Sequence, residues 1–250
     1  MIRIVIPARY GSTRLPGKPL RLIAGRPMIE HVYERARAAG AAQVLIATDD
    51  ERIVTAAAGF GATAIMTDPA HPSGTDRLAE VASRCGFADD DIVVNVQGDE
   101  PLLPTANVRQ VAALLEATPD AAIATLSTPL EQPEDFGDPN VVKVAVGTRG
   151  LALYFSRAPI PWPRDARLQG GDGVPAGALR HIGLYAYRVA ALRRLAALAP
   201  TPLEETERLE QLRALEHGLS IVVGQAAVVP GPGVDTAEDL ARVERWIRGV

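Results

Sequence analysis

The chain contains 250 residues, of which 47% are hydrophobic and 22% are charged. This composition is that of an ordinary globular protein and excludes a disordered, collagen-like or coiled-coil chain. The formal net charge of −4 argues against a surface that coats nucleic acid, but it leaves room for a local basic patch that binds one nucleotide. No apolar run approaches the roughly 18 residues of a membrane-spanning helix, so we expect no membrane partner. The single cysteine, Cys85, cannot form an internal disulfide, and the sequence shows no export signal, so we expect a cytoplasmic protein.

In the first half of the chain, short apolar runs alternate with amphipathic stretches. We predict strands over residues 2–6, 44–48, 62–66, 92–96 and 121–126, and helices over residues 28–39, 50–60, 76–84 and 107–117. Glycines close the first three helices, as expected of a residue that favours the left-handed conformation. The alternation is typical of βαβ units, in which helices cover both faces of a parallel sheet. Ligands of such sheets bind beyond the carboxyl ends of the strands, so we expect residues 7–19, 67–75 and 97–101 to form one rim.

The second half breaks this rhythm. Strands are predicted over residues 141–146, 151–156 and 182–187 without helices between them, and a loop rich in glycine, proline and aspartate spans residues 159–177. We therefore predict one α/β domain over residues 1–250, with a mostly parallel, doubly wound sheet and a small mixed-sheet subdomain inserted at about residues 128–190. This subdomain is expected to cover the active site or to make a subunit contact. Helices over residues 189–198, 203–217 and 237–248 and a strand over residues 220–223 complete the chain.

The loop after the first strand combines backbone turns with hydroxyl groups and cations. Gly11 and Gly17 permit tight turns, and three basic side chains lie close together. Exposed backbone amides and cations at the carboxyl end of a strand suit a polyphosphate. Because Pro19 follows Lys18, the loop is not the Walker A pattern. The alternative is a solvated loop whose charges bind nothing. The candidate phosphate-binding residues are Ala8, Arg9, Ser12, Thr13, Arg14 and Lys18.

Two acidic residues are candidate ligands for Mg²⁺. Asp99 comes just after the fourth strand and follows Gly98, a position where a carboxylate can share the ion with phosphates. Asp235 lies much later in the chain, in a second turn that contains glycine. Each has an alternative explanation, because Asp99 could cap the helix that Pro104 introduces and Asp235 could cap the last helix.

The turn at residues 73–77 leads into a predicted helix and contains a glycine. Its backbone and hydroxyl groups could contact a base edge, and the start of the helix could meet an anion. The alternative is that Ser73 is an ordinary helix cap. The candidate residues in this turn are Ser73, Thr75 and Arg77.

Two other segments carry polar side chains that could contact a ligand. One long predicted helix of the second half places Glu207, Glu210 and Gln211 on one face, for which a solvated surface is the usual explanation. In a predicted strand, His181 lies on the same side as Tyr185. For His181 the alternative is a structural histidine whose hydrogen bonds are satisfied within the protein.

Seven segments together resemble the 3-deoxy-manno-octulosonate cytidylyltransferases, also called CMP-Kdo synthetases. They occur in the family's order over nearly the whole chain: PARYGSTRLPGKPL, HPSGTDR, NVQGDEP, LYFSRAPIPW, LRHIGLYAYR, TPLEETERLEQLR and GVDTAEDL. Two departures are small: Gly11 stands where the family more often has alanine, and residues 165–176 follow no family pattern. Neither touches a residue with a candidate chemical role.

The resemblance implies a nucleotide-diphospho-sugar transferase fold, dependence on Mg²⁺ and a homodimer. It also implies the reaction of CTP with Kdo to give CMP-Kdo and diphosphate, which activates the sugar for lipopolysaccharide assembly. In such a reaction the anomeric hydroxyl attacks the α-phosphorus in line, so the protein's work is positioning and charge stabilisation.

The resemblance also assigns roles to residues of this chain. Arg14 and Lys18 are expected to hold the leaving phosphates, and Asp99 and Asp235 to bind Mg²⁺, which makes these four the candidate catalytic residues. Around CTP we expect the phosphate loop with Ser73, Thr75 and Arg77. The candidate sugar-binding residues are Gln97, Arg157, His181, Tyr185, Glu210 and Gln211.

Two rival functions remain open at this stage. A cytidylyltransferase for another 2-keto sugar acid, such as sialic acid or an amino-substituted Kdo, would share the CTP loop and differ in the sugar pocket. A regulatory module that binds CTP without turnover would need no second substrate site. Release of diphosphate in the presence of Kdo would exclude the regulatory module. Assays with a panel of sugar acids would distinguish a cytidylyltransferase for another sugar acid.

Overall fold

A computed structural model of the chain describes residues 1–12, 14–171 and 173–249, with the backbone alone described at residues 167 and 168. The strands are β1 (Ile2–Ala8), β2 (Leu22–Ile23), β3 (Arg26–Pro27), β4 (Gln43–Thr48), β5 (Thr63–Met66), β6 (Ile92–Asn95), β7 (Ile123–Pro129), β8 (Lys143–Val146), β9 (Ala152–Ser156), β10 (Leu179–Arg188) and β11 (Ile221–Gln225). The helices are α1 (Met28–Arg37), α2 (Glu51–Gly59), α3 (Gly74–Arg84), α4 (Thr105–Glu116), α5 (Pro133–Gly137), α6 (Arg164–Leu168), α7 (Val189–Ala196), α8 (Pro202–Glu207), α9 (Gln211–Glu216) and α10 (Ala237–Arg248).

The central sheet has the strand order β11-β7-β10-β6-β1-β4-β5. Neighbouring strands are parallel except at β10, which runs antiparallel to both β6 and β7. Strands β8 and β9 form a hairpin that joins this sheet where Lys143 pairs with Arg180 of β10, and β2 and β3 form a separate small sheet. The predicted α/β class with a mostly parallel sheet is confirmed.

Helices cover both faces of the sheet because the side chains of each strand alternate between them. Ile4 and Ile6 of β1 belong to a buried cluster on one face with residues of α1, α2 and α4. Val5 belongs to the cluster on the other face with residues of α3, α7 and α9. Each fully buried aliphatic side chain of this kind stabilises the fold by about 1.5–3 kcal/mol. The doubly wound arrangement thus follows from strands that are apolar on both sides.

The elements predicted for the first half are all present, with ends that differ by at most three residues. The glycine stops are confirmed as well. Gly61 and Gly86 adopt φ values of 76° and 64°, a left-handed backbone that ends α2 and α3. Within the described residues, no helix combines the length and the apolar character needed to cross a bilayer.

The prediction of a single helix over residues 203–217 is wrong, because the structure has two helices there, α8 and α9. Arg208 adopts a left-handed conformation with φ of 54° at the break. The Arg157 guanidinium, fifty residues away, donates to the carbonyl of Glu207 at 2.6 Å and to that of Arg208 at 3.4 Å. These tertiary hydrogen bonds stabilise the break, and Glu207 and Glu210 consequently do not share a helix face.

The middle of the chain differs in two respects from the mixed-sheet subdomain predicted there. β10 is a central strand of the main sheet, so the irregular part lies between β7 and β10. The loop predicted over residues 159–177 contains the short helix α6. The hairpin β8–β9 exposes Leu153, whose side chain is 67% accessible, and Trp162 beyond it is 61% accessible. A subdomain with a boundary at about residue 190 stays a prediction.

Candidate active site

A cavity of about 350 Å³ lies beyond the carboxyl ends of β1, β5 and β6. We call it the first cavity. The three segments predicted to share one rim form most of its lining, and Met28 and Asp235 are among the other lining residues. Its lining residues are Pro7, Ala8, Arg9, Ser12, Arg14, Lys18, Pro19, Met28, His71, Pro72, Ser73, Gly74, Arg77, Gln97, Gly98, Asp99 and Asp235.

Gly98 allows two of these loops to approach closely. A Cβ atom at this position would lie 2.7 Å from the carbonyl oxygen of Pro7, a distance that backbone atoms cannot accept. Glycine is therefore required where the loop after β6 packs against the end of β1. This contact brings Asp99 next to the phosphate-loop residues.

Lys18 is the centre of the site. Its Nζ atom donates to Asp99 Oδ2 at 2.8 Å, to Asp235 Oδ1 at 2.9 Å and to the carbonyl oxygen of Val234 at 3.0 Å. Burial disfavours its charge, but the two carboxylates outweigh burial and raise the pKa of Lys18 above its usual value. An ammonium group has three N–H donors, so all the donors of Lys18 are engaged. Lys18 must release one acceptor before it can donate to a phosphate.

The other two cations of the loop are more open. Arg14 is 66% exposed and lies 3.3 Å from Asp235. Arg9 lines the first cavity and makes no hydrogen bond or ion pair within the described residues. Ser12 accepts a hydrogen bond from the backbone of Leu15 at 3.3 Å, which shapes the turn. The predicted residue Thr13 lies outside the described residues.

The structure excludes the helix-cap explanation at both acidic positions, and the role of a metal ligand stays a prediction. At the start of α10, Thr236 is the capping residue and exchanges hydrogen bonds with Asp239. The Asp235 carboxylate instead accepts from Lys18. The Asp99 carboxylate also accepts from Lys18, and the residue that precedes α4 is Pro104, which has no side-chain cap. Both carboxylates thus face a cation in the first cavity.

Asp99 and Asp235 fit Mg²⁺ as a pair of ligands. Both already share one cation, the ammonium of Lys18. Within the part of the chain that the structure describes, no group of three or more His, Cys, Asp or Glu side chains is placed to hold a metal. Two carboxylates without a full protein cage are the usual arrangement for Mg²⁺ that is completed by substrate phosphates and water.

In the loop after β5, Ser73 caps α3. Its hydroxyl accepts from the backbone of Asp76 and donates to the Asp76 carboxylate at 2.7 Å. The cap interpretation is therefore correct, and Ser73 also lines the cavity. Thr75 does not line the first cavity.

Arg77 lines the first cavity, but its guanidinium donates hydrogen bonds to other residues of the protein. Its guanidinium binds Asp49 at 2.6 Å and Thr67 at 2.7 Å, and only 4% of its side chain is exposed. Asp49 also accepts from the backbone of Tyr10 at 3.3 Å. Arg77 and Asp49 therefore tie the phosphate loop to α3. Sequence reasoning missed Asp49, although it directly follows β4 at the carboxyl end of the sheet.

His71 also lines the first cavity, and the sequence predicted no role for it. Its Nε2 atom lies 2.7 Å from Glu80 Oε2, and the same oxygen accepts from the backbone of Asp68 at 2.9 Å. Hydrogen bonds from Asp68, His71 and Arg84 outweigh the effect of burial and lower the pKa of the Glu80 carboxyl. Glu80 thus holds both ends of this loop against α3.

A second cavity, of about 190 Å³, adjoins the first. Gln97 lines both cavities. The structure brings four of the six predicted sugar-binding residues together here, and it adds several that sequence reasoning missed. The lining residues are Thr75, Asn95, Gln97, Ile123, Tyr185, Tyr187, Leu195, Glu210 and Gln211.

The polar groups of the second cavity are neutral donors and one carboxyl. Burial raises the pKa of the Tyr185 hydroxyl and of the Tyr187 hydroxyl, so both keep their protons. Burial raises the pKa of the Glu210 carboxyl, and the nearby Thr75 and Ser73 hydroxyls oppose that rise in pKa. Glu210 therefore lies beside the turn that starts α3. Such a lining suits the hydroxyl groups of a sugar.

The structure does not bring Arg157 to either cavity. Its guanidinium donates to the carbonyls of Glu207, Pro139 and Arg208, and its backbone N–H donates to Glu207 Oε2 at 2.9 Å. Ser156 donates to the other oxygen of this carboxylate at 2.6 Å. In this structure Arg157 therefore fixes the turn between α8 and α9, which leads directly to Glu210 and Gln211.

His181 also lies outside both cavities. Its Nε2 atom is 3.0 Å from Thr125 Oγ1, and its ring packs edge-on against Phe155 and beside Tyr185. Burial lowers the pKa of the His181 imidazole to about 3, so the ring is neutral. This environment is the one expected of a structural histidine.

Comparison with solved structures first identifies the fold. The fold is shared with a putative glucose-1-phosphate thymidylyltransferase from Bacillus anthracis at a TM-score of 0.65 and 17% identity, over 100% of this chain and 96% of that one. A cytidylyltransferase from Leptospira borgpetersenii has a TM-score of 0.63 at 16% identity, over 100% of this chain and 87% of that one. With a cation-rich cavity at the strand ends, the fold is that of a nucleotidyltransferase.

Closer relatives define the family. The chain belongs to the cytidylyltransferase family, whose model matches residues 3–221. It is 57% identical to a 3-deoxy-manno-octulosonate cytidylyltransferase of Thioalkalivibrio sulfidiphilus, over 98% of both chains, and 57% identical to that of Pseudomonas fluorescens, over 98% of this chain and 97% of that one. A solved CMP:2-keto-3-deoxy-manno-octonic acid synthetase complexed with CTP is 45% identical, with a TM-score of 0.91 over 99% of this chain and 98% of that one. The resemblance seen in the motifs is confirmed.

Proposed function

We propose that this protein transfers the cytidylyl group of CTP to the anomeric hydroxyl of Kdo, giving CMP-Kdo and diphosphate. The names of its relatives, at 56–57% identity over nearly the full chain, support this activity. The product is the activated sugar that lipopolysaccharide assembly consumes.

The single observation that carries the proposal is the junction of the two cavities at Gln97. A transferase must hold two substrates so that their reacting atoms meet. The first cavity has cations for a triphosphate, and the second has neutral hydrogen-bonding groups for a sugar. Asp99 follows Gln97 by two residues, so the carboxylate pair lies close to the place where the two substrates would meet.

The chain's own residues then have separate tasks. Arg14 and Lys18 hold the phosphates that leave, with Arg9 as a further free cation beside them. Gln97 orients the sugar at the junction, and Ser73 lies toward the base. The attacking hydroxyl is held in line with the α-phosphorus, and the charge that develops on the leaving diphosphate is stabilised by the cations.

Asp99 and Asp235 are the residues that would hold Mg²⁺. When bound there, the ion would neutralise the triphosphate and favour the ionised form of a coordinated hydroxyl, which removes the need for a histidine base. Lys18 must give up at least one of its three acceptors, the two carboxylates and the Val234 carbonyl, to reach a phosphate, because all of its N–H donors are engaged.

The deciding experiment measures diphosphate release from CTP with Kdo, with N-acetylneuraminate and with no sugar. We expect release with Kdo, a large preference for Kdo over N-acetylneuraminate, and no release without sugar. Comparable turnover of both acids would contradict the choice of Kdo. Binding of CTP without diphosphate release in any arm would favour the regulatory module. The second cavity argues against that module, because a protein that only binds CTP needs no second substrate site.

A homodimer and a cytoplasmic location are further proposals. Leu153 and Trp162 expose large apolar surfaces on and beside the β8–β9 hairpin, and covering such surfaces is a common reason for association. Sedimentation at micromolar concentration should give about twice the 26.5 kDa of one chain, and a clean monomer would contradict the dimer. The exposed free thiol of Cys85 suits a reducing compartment, which is also where CTP is made.

A further inference from the structure

Asp49, the residue directly after β4, bonds to two walls of the first cavity. Its Oδ2 atom accepts a hydrogen bond from the Arg77 guanidinium at 2.6 Å, and its Oδ1 atom accepts one from the backbone N–H of Tyr10 at 3.3 Å. Arg77 belongs to α3, and Tyr10 belongs to the phosphate loop at residues 7–19. Among the described residues, Asp49 is not one of those that line the cavity. Its carboxylate therefore joins the two walls from outside the cavity.

The first of these walls is the loop that leads to Ser73, together with the start of α3. Arg77 donates to Thr67 Oγ1 at 2.7 Å and to the carbonyl oxygen of Asp68 at 3.2 Å, so it holds the loop after β5 against α3. Its side chain is 4% exposed, and within the described residues Asp49 is the one carboxylate that pairs with it. A buried guanidinium that loses its carboxylate is strongly disfavoured. The position of Asp49 therefore fixes the position of this wall.

The second wall is the phosphate loop, which Tyr10 closes. The carbonyl oxygen of Tyr10 accepts from the backbone N–H of Gly17 at 3.3 Å, and Gly17 directly precedes Lys18. The Arg52 guanidinium of α2 lies 3.3 Å from the centre of the Tyr10 ring, in a cation–π contact. Because Asp49 accepts from the N–H of Tyr10, it anchors the backbone at the start of the loop that carries Lys18.

CTP would have to contact both walls at once. In the proposed complex the base lies toward Ser73 and the leaving phosphates lie toward Lys18, and both residues line the first cavity. A ligand that bridges two segments binds more tightly when the segments are already held at the right separation, because binding then does not have to order them. A fragment that contacts one wall gains nothing from that separation. The tie at Asp49 therefore matters for the whole nucleotide more than for its parts.

We propose that Asp49 is a positioning residue, which sets the separation between the base side and the phosphate side of the CTP site. It acts through Arg77 and Tyr10 and makes no contact with the nucleotide. This inference rests on the proposed function and adds to it a residue that controls how CTP is held. A change at Asp49 then weakens the binding of CTP more than the binding of either of its fragments.

The test measures the binding of CTP, cytidine and inorganic diphosphate by calorimetry. Asp49→Glu keeps the charge that Arg77 requires, and its additional methylene moves the carboxylate relative to Tyr10. We expect the Kd for CTP to rise about tenfold, while the Kd values for cytidine and for diphosphate change by less than about twofold. In steady-state assays the KM for CTP should rise and the KM for Kdo should stay at the wild-type value. If Asp49→Glu does not fold, Asp49→Asn serves in the same measurements, because its amide oxygen can still accept from Tyr10 while Arg77 loses its carboxylate.

Asp91→Glu is the matched control. Asp91 is also a carboxylate that accepts from a guanidinium, that of Arg3 at 3.0 Å, and from a backbone N–H, that of Ala88 at 3.1 Å. It directly precedes β6, whereas the first cavity lies beyond the other end of that strand. We expect this substitution to lower the melting temperature as Asp49→Glu does and to leave the Kd for CTP at the wild-type value.

Three results would overturn the proposal: unchanged CTP affinity in Asp49→Glu, an equal loss of CTP affinity in Asp91→Glu, or a loss for cytidine or diphosphate as large as the loss for CTP. The third result would mean that Asp49 shapes one wall and does not set the separation. Failure of the proposed function is distinct, because wild type would then release no diphosphate from CTP with Kdo, whereas the calorimetric test measures binding alone.

Discussion

Lys18 Nζ lies 2.8 Å from Asp99 Oδ2, a contact between residues that are 81 positions apart in the chain. The same nitrogen lies 2.9 Å from Asp235 Oδ1, which comes from the far end of the sequence. One ammonium thus holds together the two carboxylates of the candidate metal pair. The ion pair is half-exposed on its acidic side, with 38% and 48% of the two aspartate side chains accessible. Its contribution to stability is therefore small, and its importance is for charge placement in the site.

Replacing Lys18 by alanine should weaken CTP binding. The variant loses a cation that can make charge-assisted hydrogen bonds to the triphosphate, worth about 1.5–3 kcal/mol, or about 10- to 150-fold in Kd. Calorimetric titration with CTP measures the change. Arg21→Ala is the matched control, because Arg21 is an exposed cation nearby that donates to the Pro16 carbonyl and does not line the cavity. Unchanged affinity and turnover in Lys18→Ala would remove this residue from the site.

Substitutions of Asp235 and Asp239 should have different effects, the first mainly on activity and the second mainly on stability. Asp235→Asn keeps the shape and loses the charge, so we expect turnover to fall by at least about 100-fold with little change in melting temperature. Asp239→Ala removes the carboxylate that accepts from the backbone of Asp235 and from Thr236 at the start of α10. It should cost about 0.5–2 kcal/mol of unfolding free energy, with a much smaller loss of activity than Asp235→Asn. Activity assays and thermal unfolding of both variants check this. The reverse pattern would mean that Asp235 serves the helix.

The rim of the sheet could be predicted because it depends on local patterns. The apolar strands fix which loops meet, and residues such as Lys18 and Asp99 then follow from their positions after β1 and β6. Asp235 is different, since it follows no strand of the parallel half. Its place beside Lys18 could be inferred from the family resemblance and not from spacing.

Other features depend on contacts that no local pattern encodes. The break at Arg208 is stabilised by Arg157, which follows β9, and nothing in a run of helix-forming residues marks it. Arg157 was predicted from chemistry to meet a carboxylate, whereas here backbone carbonyls take its donors.

Arg157→Ala should raise the KM for Kdo by about tenfold, leave the Kd for CTP unchanged and lower the unfolding free energy by about 1–3 kcal/mol. The reason is that its guanidinium fixes the turn before Glu210 and Gln211. Glu207→Ala removes a second tie between the same segments, the hydrogen bonds that its carboxylate accepts from Ser156 and from the backbone of Arg157, and should also raise the KM for Kdo. Steady-state kinetics with each substrate varied measures both. A KM change in Arg157→Ala that Glu207→Ala does not reproduce would indicate direct contact with the sugar, and weaker CTP binding would place Arg157 on the nucleotide side.

His181 should make the fold less stable in acid. Burial lowers its pKa in the folded state to about 3, whereas an unfolded histidine has a pKa of about 6.5. The unfolded chain therefore binds one more proton between these values, and the stability that neutral His181 allows is present above about pH 6.5 and lost as the pH falls below it. The unfolding free energy can fall by at most about 1.4 kcal/mol per pH unit through this one group. Because the ring is partly exposed, we expect the unfolding free energy to fall by about 1–2 kcal/mol between pH 6.5 and 5.

Urea unfolding of wild type and His181→Gln across this range measures the effect. Glutamine can keep a hydrogen bond to Thr125 and does not titrate, so the variant should lose about 1–2 kcal/mol less than wild type between pH 6.5 and 5. His217→Gln is the matched control, because His217 is exposed at the end of α9 and should leave the acid dependence of wild type unchanged. Parallel curves for wild type and His181→Gln would show that His181 takes up its proton as readily in the folded chain as in the unfolded one.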